Sequence, residues 1–213
     1  MDELVVRILR TVACKARIRI MSRLSAVNEA TPTELARQLR VRRDVLCVHL
    51  ARLAAAGLIL RRRSGARCYC AARSPYSEST LSGRITEWLR NALRPAAPGA
   101  SGGTRAAQGG SDTAQVSSEA DRAVFEAATA FTNVRRLQIL RRLAKGKAAD
   151  GPTLQQELKM SPQAVARHVG KLIRRAYVSA TRRKRRLLYQ LVPQGKTPLH
   201  ARLLEIVMDS WEK

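Results

Sequence analysis

Residues 153–192 read TLQQELKMSPQAVARHVGKLIRRAYVSATRRKRRLLYQLV, and they contain three successive patterns. TLQQEL predicts a short helix, and a tight turn separates it from a longer helix over residues 162–175. Ser161 is a favourable N-cap residue, and Pro162 suits a first helical position, where its missing N–H costs nothing. Beyond this helix, two apolar runs flank an Arg-rich turn, which indicates a β-hairpin. This order of elements is typical of a winged helix-turn-helix, whose second helix enters the major groove of DNA.

The same order of patterns occurs earlier in the chain, at a constant distance of 119 residues. TELARQL precedes VRRDVLCVHLARLAAAGLI, residues 41–59, and the hairpin pattern LILRRRSGARCYCAA overlaps its end. The shift aligns Arg17, Ile20, Arg23, Leu24, Leu35, Leu39, His49 and Leu53 with Arg136, Ile139, Arg142, Leu143, Leu154, Leu158, His168 and Leu172. The paired histidines carry the most weight, because the chain has only three. A register that needs no gap over roughly forty residues indicates an internal duplication.

Between the two copies, residues 95–118 are rich in Gly, Ala, Ser and Pro and have no hydrophobic period. This composition predicts a flexible linker. We therefore divide the chain into a domain over 1–94, a linker over 95–118 and a second domain over 119–213. Amphipathic helices are expected to open and close each domain. The predicted fold class is mainly α, with two winged helix-turn-helix domains that each carry a small β-hairpin wing.

The charge follows the same division. The chain has 40 Lys and Arg residues against 16 Asp and Glu, a net charge of +24. The first domain has 19 basic and 7 acidic residues and the second has 20 and 8, so each carries +12, while the linker has one of each. A positive field of this size attracts phosphate polyanions and anionic membranes. No apolar run approaches the roughly 18 residues of a membrane span, and the acidic N-terminus lacks the features of a secretory signal. We expect a cytoplasmic, nucleoid-associated protein whose partner is double-stranded DNA and not a membrane.

The segment MSPQAVARHVGKL, Met160–Leu172, resembles the S-x-P-A-V-S-R-H-L-x-x-L recognition helix of the ArsR-type (arsenical-resistance repressor) winged-helix family. Val41–Ile59 matches less closely but keeps His-Leu-x-x-Leu and the Ala-Gly-Leu that leads into the wing. The resemblance covers nearly all of both domains and none of the linker. It implies a DNA-binding transcriptional regulator that represses by occupying a promoter. It also implies a dimeric arrangement, which the duplication would supply as an intramolecular pseudo-dimer, and a homo-oligomer remains open.

Helical geometry separates the two faces of each recognition helix. The predicted inward residues are Val45, Leu46, Leu50 and Leu53 in the first domain and Ala164, Val165, Val169 and Leu172 in the second. By resemblance, Gln163, Arg167 and His168 are the strongest candidates to contact DNA. Gln and Arg can form bidentate contacts with adenine and guanine edges, whereas Ser, His and Lys more often hold phosphate.

The predicted DNA contacts lie on the outward helix faces and at the hairpin tips. They are Arg42, Arg43, His49, Arg52, Arg62, Arg63 and Arg67 in the first domain, and Ser161, Gln163, Arg167, His168, Lys171, Arg183, Lys184 and Arg185 in the second. In the first domain, Cys47 and Val48 occupy the positions at which the second domain has a small and a basic residue. The first domain therefore departs from the family pattern at positions expected to contact bases. The alternative is that these are only solvated polar faces.

Three cysteines suggest a second kind of site. Cys68 and Cys70 alternate on a predicted strand and share a face, and Cys47 could lie nearby, which would bring three soft thiolates together. Against this, isolated thiols commonly behave as small hydrophobic groups. The metal positions of the resembled family are not retained, because TELARQL and TLQQEL contain no Cys or His. No cofactor and no established metal site are predicted.

An enzyme is not expected. The histidines have no Ser, Asp or carboxylate partner at motif spacing, and the glycines at 99–110 lie away from any strand-to-helix junction. The competing reading is a non-enzymatic tandem winged-helix module with a structural or interaction role, either chromosome-associated or a protein-binding adaptor. RNA binding stays open as well, although two Phe, four Tyr and two Trp are few for a single-strand reader.

Overall fold

The computed structural model describes residues 1–94, 111–146, 148–184 and 186–212, with only the backbone described at 111–118. The described chain is mainly helical and contains two small antiparallel sheets, as the sequence predicts. None of its described helices is both long and apolar enough to cross a bilayer.

The first half contains five helices and one hairpin. They are α1 (Asp2–Val12), α2 (Lys15–Ala26), α3 (Pro32–Leu39), α4 (Arg43–Ala55), β1 (Leu60–Ser64), β2 (Arg67–Ala71) and α5 (Leu81–Leu93). A capping box starts α3, because the Thr31 hydroxyl accepts from the Glu34 N–H and the Glu34 carboxylate accepts from the Thr31 N–H. The helix ends at Leu39, and its C-cap residue Arg40 has a left-handed φ of 52°, which turns the chain toward α4.

The second half repeats this order with one additional short strand. Its elements are α6 (Ser111–Thr129), α7 (Val134–Ala144), β3 (Ala149–Asp150), α8 (Gly151–Leu158), α9 (Pro162–Arg174), β4 (Val178–Arg183), β5 (Arg186–Leu191) and α10 (Pro198–Asp209). The predicted cap of the longer helix is confirmed: the Ser161 hydroxyl accepts from the Ala164 N–H at 3.3 Å, and Pro162 follows as the first helical residue. β5 lies between β3 and β4, and α9 packs against β4.

The first helix of the second half, α6, begins inside the range predicted as the linker. Residues 111–118 were expected to be flexible, but the helix begins at Ser111. Residues 111–118, SDTAQVSS, contain no Gly or Pro, so no helix-breaking residue interrupts the chain after Gly110. The remaining linker residues, 95–110, lie outside the described part of the chain.

The 119-residue repeat extends to the backbone. The hairpin pairs Leu60 with Ala71 in the first half, and the pair that corresponds to it, Ser179 with Gln190, forms in the second. Left-handed residues also recur at this spacing, namely Arg40 with Lys159, Gly57 with Ala176, and Gly65 with Lys184. Equivalent turns therefore connect equivalent elements in both halves, even where glycine is replaced by a residue with a side chain.

Two compact units divide the chain differently from the predicted domains. The first unit comprises Thr11–Phe125, and the second comprises Met1–Arg10 together with Glu126–Lys213. Most of α1 therefore belongs to the second unit, where the Arg141 guanidinium donates to Asp2 at 3.0 Å. The predicted boundaries at 94 and 119 assigned α1 to the first half, because sequence position was the only guide.

Each unit has its own apolar core. The first is built from residues that include Ile18, Ile20, Met21, Leu24, Leu35, Leu46, Leu50, Leu53, Ile85 and Leu89. The second includes Val5, Ile8, Leu9, Leu137, Ile139, Leu140, Val165, Val169, Leu172, Leu203, Leu204 and Val207. Tyr177 is fully buried in the second core, with its ring edge-on to Phe131 at 4.8 Å and its hydroxyl donating to the Ala127 carbonyl.

Candidate nucleic-acid interface

The helices α4 and α9 each bury one stripe and expose the opposite side. Leu46, Leu50 and Leu53 anchor α4, as predicted, and their exposed fractions are 1% or less. Val165, Val169 and Leu172 anchor α9 in the same way. Packing on one side fixes the orientation of each helix, so the residues on the other side are presented to solvent in a defined order.

Most predicted contact residues on these helices are exposed. The exposed members of the predicted set are Arg42, Arg43, Arg52, Ser161, Gln163 and Arg167, and Lys171 is half-buried. Ser161 uses its hydroxyl as the cap of α9, so only its remaining hydrogen-bonding capacity faces outward. No described carboxylate forms an ion pair with Arg43, Arg52 or Arg167, so these three guanidinium groups are exposed without an ion-pair partner among the described residues.

Arg42 is already engaged within its own chain. Its guanidinium forms a two-pronged contact with Asp44, with distances of 3.2 Å from Nε and 2.7 Å from Nη2 to the carboxylate oxygens. Both side chains are largely exposed, so the pair contributes little to stability. Its effect is local, because Arg42 compensates the charge of Asp44 at the start of α4 within the chain.

The prediction that His168 faces outward is wrong. Only 7% of the residue is exposed, because it lies three positions after Val165 and four before Leu172, on the buried stripe of α9. Burial and the neighbouring Arg136 guanidinium lower the pKa of His168. His168 therefore belongs to the core and not to the exposed face of α9.

His49 occupies the corresponding position in α4 and is also turned toward the protein. It is half-buried, and its Nδ1 is enclosed without a hydrogen-bond partner among the described residues. Burial and the charge of Arg17 lower the pKa of His49. The sequence predicts His49 as an outward contact, and the structure corrects this prediction as it does for His168.

Val45 departs from its predicted place in the opposite direction. It was assigned to the core, yet 46% of it is exposed. Val48 is 52% exposed and Cys47 is exposed as well, so α4 presents an apolar surface to solvent. The corresponding face of α9 contains Gln163 and Arg167, and the two halves thus offer different chemistry.

The hairpins carry further exposed cations. Arg63, Arg67, Arg183 and Lys184 are exposed at or beside the two turns, whereas Arg185 lies outside the described residues. Arg62 is also exposed, but its guanidinium contacts Glu29 at 2.8 Å and lies 5.3 Å from the centre of the Tyr69 ring. Antiparallel pairing on both sides of each turn holds these charges at a defined position.

One further exposed basic residue lies in each half, outside the predicted set. Arg40 and Lys159 lie in the turns that precede α4 and α9, and both are exposed with a left-handed backbone. They are separated by the 119-residue repeat, so an alignment of the two halves that included basic residues in turns would have found them. Their place beside the N-terminus of each longer helix makes them candidates for phosphate contact.

The three-thiolate site is not formed. Cys47 is exposed on α4, Cys68 is half-buried, and Cys70 is fully buried where its backbone pairs with Ala30. Burial raises the pKa of Cys70 to about 11, which disfavours the thiolate that would bind a metal. Across the described residues, no three His, Cys, Asp or Glu side chains form a group that could hold a metal ion.

Comparison of this chain with protein-family models, with curated proteins and with solved structures finds no match.

Proposed function

We propose that this chain is a DNA-binding transcriptional regulator built from two winged helix-turn-helix units. The supporting observation is the repeated arrangement of α3, a left-handed turn, α4 and a basic hairpin, which recurs as α8, α9 and the second hairpin. The longer helix of each copy exposes one face beside exposed arginines. A helix of this kind fits the major groove, and hairpin cations suit the phosphate backbone.

In this proposal, side chains divide into those that read bases and those that hold phosphate. Gln163 and Arg167 read base edges from α9, because both can form bidentate hydrogen bonds there. Lys171 and the hairpin cations Arg183 and Lys184 hold phosphates and set the position of the unit on the duplex. Repression by promoter occupancy follows from the resemblance to the ArsR-type family.

Both units are proposed to act on one DNA site, as a pseudo-dimer within one polypeptide. Each compact unit includes the opening helix, or part of it, from the other half of the chain, so the halves depend on each other covalently and structurally. Because α4 and α9 expose different side chains, the preferred DNA site is asymmetric. A perfect palindrome from selection on random duplexes would indicate instead a homodimer that uses one unit of each chain.

The salt dependence of duplex binding tests the two-unit footprint. If the two units neutralise about eight phosphates, the logarithm of the binding constant falls with the logarithm of salt at a slope near −7. A slope near −1 would contradict binding of one DNA site by both units. Absence of duplex binding at physiological salt would favour the alternative function, a structural or protein-interaction module.

Base reading is tested with a charge-matched pair of variants. Arg167→Ala is expected to relax sequence preference in one half of the selected site, at a cost of about 1–3 kcal/mol against the preferred base. Arg202→Ala removes the same charge from the exposed side of α10, where Arg202 contacts Glu205 at 2.7 Å. Retained selectivity in Arg167→Ala, equal to that in Arg202→Ala, would show that α9 does not read the site.

A further inference from the structure

The exposed face of α4 is unusual for a helix in a half that carries +12. Val45 and Val48 are 46% and 52% exposed, and Cys47 and Ala51 are exposed beside them. None of these side chains offers a strong hydrogen-bond donor or acceptor to a base edge. The single acid on this face, Asp44, is held by Arg42.

The repeat shows what has changed between the two halves. Val48 occupies the position of Arg167, and Val45 occupies that of Ala164. The second half thus retains a side chain that can recognise guanine, while the first half has an apolar group at the same place on the helix. An apolar group in the major groove can recognise one feature only, the C5-methyl group of thymine.

We propose that α4 reads thymine through contacts of Val48 and Val45 with its methyl group. This inference rests on the proposed DNA binding, and it assigns a base class to the half of the site that the resembled recognition motif does not explain. Arg43 and Arg52 lie on the same helix and are exposed, so phosphates would flank the apolar contact. The charge surrounding the patch therefore complements a nucleic acid.

A protein partner fits this patch less well. Two exposed valines and their small neighbours fall far short of the roughly 800 Å² that each partner buries in a stable protein interface. A second copy of the chain would also bring one strongly basic surface against another. A thymine methyl group needs only the small area that the valines present.

The test compares thymine with uracil, which lacks only the methyl group. Duplexes selected with the full chain are resynthesised with deoxyuridine in place of thymidine, in one half-site at a time. The half-site of α9 is identified as the one whose preference changes in Arg167→Ala. In the other half-site, we expect about fourfold weaker binding per contacted methyl group, equivalent to ~0.8 kcal/mol. Uracil in the α9 half-site is the matched control and leaves affinity unchanged.

Two variants assign the effect to α4. Val48→Ala is expected to reduce the difference between thymine and uracil duplexes without removing it, because the two γ-methyl groups of Val48 are gone while Val45 remains. Its exposed position leaves the fold intact. Arg167→Ala keeps the difference between thymine and uracil.

Equal binding of both duplexes by the unmodified chain would overturn the inference while leaving DNA binding in place, whereas failure to bind any duplex would refute the proposed function itself. Reduced self-association of Val48→Ala in sedimentation, without a uracil effect, would identify a contact between copies and also overturn it.

Discussion

At the scale of single residues, the repeat preserves an arginine that has a structural role. The buried Arg17 donates through Nε to the Thr11 carbonyl, and Arg136 donates through Nε to the Ala130 carbonyl at 2.6 Å. These four residues correspond at the 119-residue spacing. Each guanidinium also lowers the pKa of a histidine on the longer helix of its half. The Arg and His pairs that reveal the duplication in the sequence are therefore part of the folded framework.

Replacing Arg136 is expected to destabilise the second unit strongly. Its guanidinium donates to the carbonyls of Thr129 and Ala130 and to the hydroxyl of Thr132, at 2.6–3.0 Å, and thereby closes the turn before α7. Arg136→Ala leaves these partly buried acceptors unpaired, so we expect a loss of about 2–3 kcal/mol in the free energy of unfolding by urea. Arg136→Lys restores only part of it, since an ammonium cannot donate in the same fork. Arg135→Ala, on the exposed neighbour, is the control, and an equal loss there would refute the role given to Arg136.

The buried histidine predicts a dependence of stability on pH. Burial lowers the folded-state pKa of His168, with further contributions from Arg136, Arg167 and Arg135, so the unfolded chain binds more protons than the folded chain in mild acid. The stabilisation is present above the ordinary histidine pKa, near 6.5, and is lost as the pH falls below it. We expect the free energy of unfolding to decrease between pH 7.5 and pH 5. His168→Gln should make this decrease smaller without removing it, because burial also lowers the pKa of His49 and His200. An unchanged slope would show that His168 is protonated equally in both states.

At the scale of elements, the sequence predicts secondary structure better than it predicts which side chains of a helix point into the core. The cap at Ser161, both hairpins and the order of the helices follow from capping residues, period and turn composition. The prediction places His168 outward and Val45 inward because it follows the polarity of each side chain. The angular position of each residue around its helix indicates the opposite placement. The spacings of His168 to Val165 and Leu172 place it on the buried stripe, whereas Val45 lies just outside the stripe of Leu46 and Leu50.

Two helical glycines are expected to respond oppositely to the same substitution. A Cβ at Gly83, in the first turn of α5, would collide with the Ser77 carbonyl and come within 2.8 Å of the Glu78 Cα, and these backbone atoms cannot move aside cheaply. Gly83→Ala should therefore destabilise the first unit by about 1–3 kcal/mol. A Cβ at Gly170, inside α9, would meet nothing closer than Arg174 at 3.9 Å, and Ala51 already occupies the corresponding position of α4.

Gly170→Ala should stabilise α9 by about 0.5–1 kcal/mol, because alanine loses less backbone entropy than glycine on entering a helix. Urea unfolding of both variants gives the comparison. Stabilisation by both substitutions would mean that helix propensity alone, and not the close approach of residues 77 and 78, governs Gly83.

At the scale of the whole molecule, the assignment of α1 could not be read from the sequence. An apolar stripe recurs in α1 and in the second half of α6, and helical periodicity shows that each stripe is buried without showing in which core. The structure assigns Met1–Arg10 to the unit that contains Glu126–Lys213. There Arg10 donates to the Thr132 carbonyl at 2.9 Å, and Arg141 contacts both Asp2 and the ring of Trp211. Each half of the sequence thus supplies its first helix, or part of it, to the compact unit of the other half. The two halves of the sequence are therefore not independent units.

Deletion of Met1–Arg10 is therefore expected to unfold the distant half of the sequence. Val5, Val6, Ile8 and Leu9 are each at most 4% exposed, and full burial of such side chains contributes roughly 1.5–3 kcal/mol apiece. Their combined contribution is comparable with the roughly 5–15 kcal/mol by which whole domains are stable.

Hydrogen exchange should accelerate in α7 and α10, while α2 and α4 keep their protection. Glu3→Ala, on the exposed side of α1, is the control and should leave exchange unchanged. A synthetic peptide of residues 1–12 added to the deleted protein should restore protection in α7 and α10, because the missing surface is an amphipathic helix and not a covalent link. Loss of protection in α2 and α4 instead would place α1 in the core of its own half.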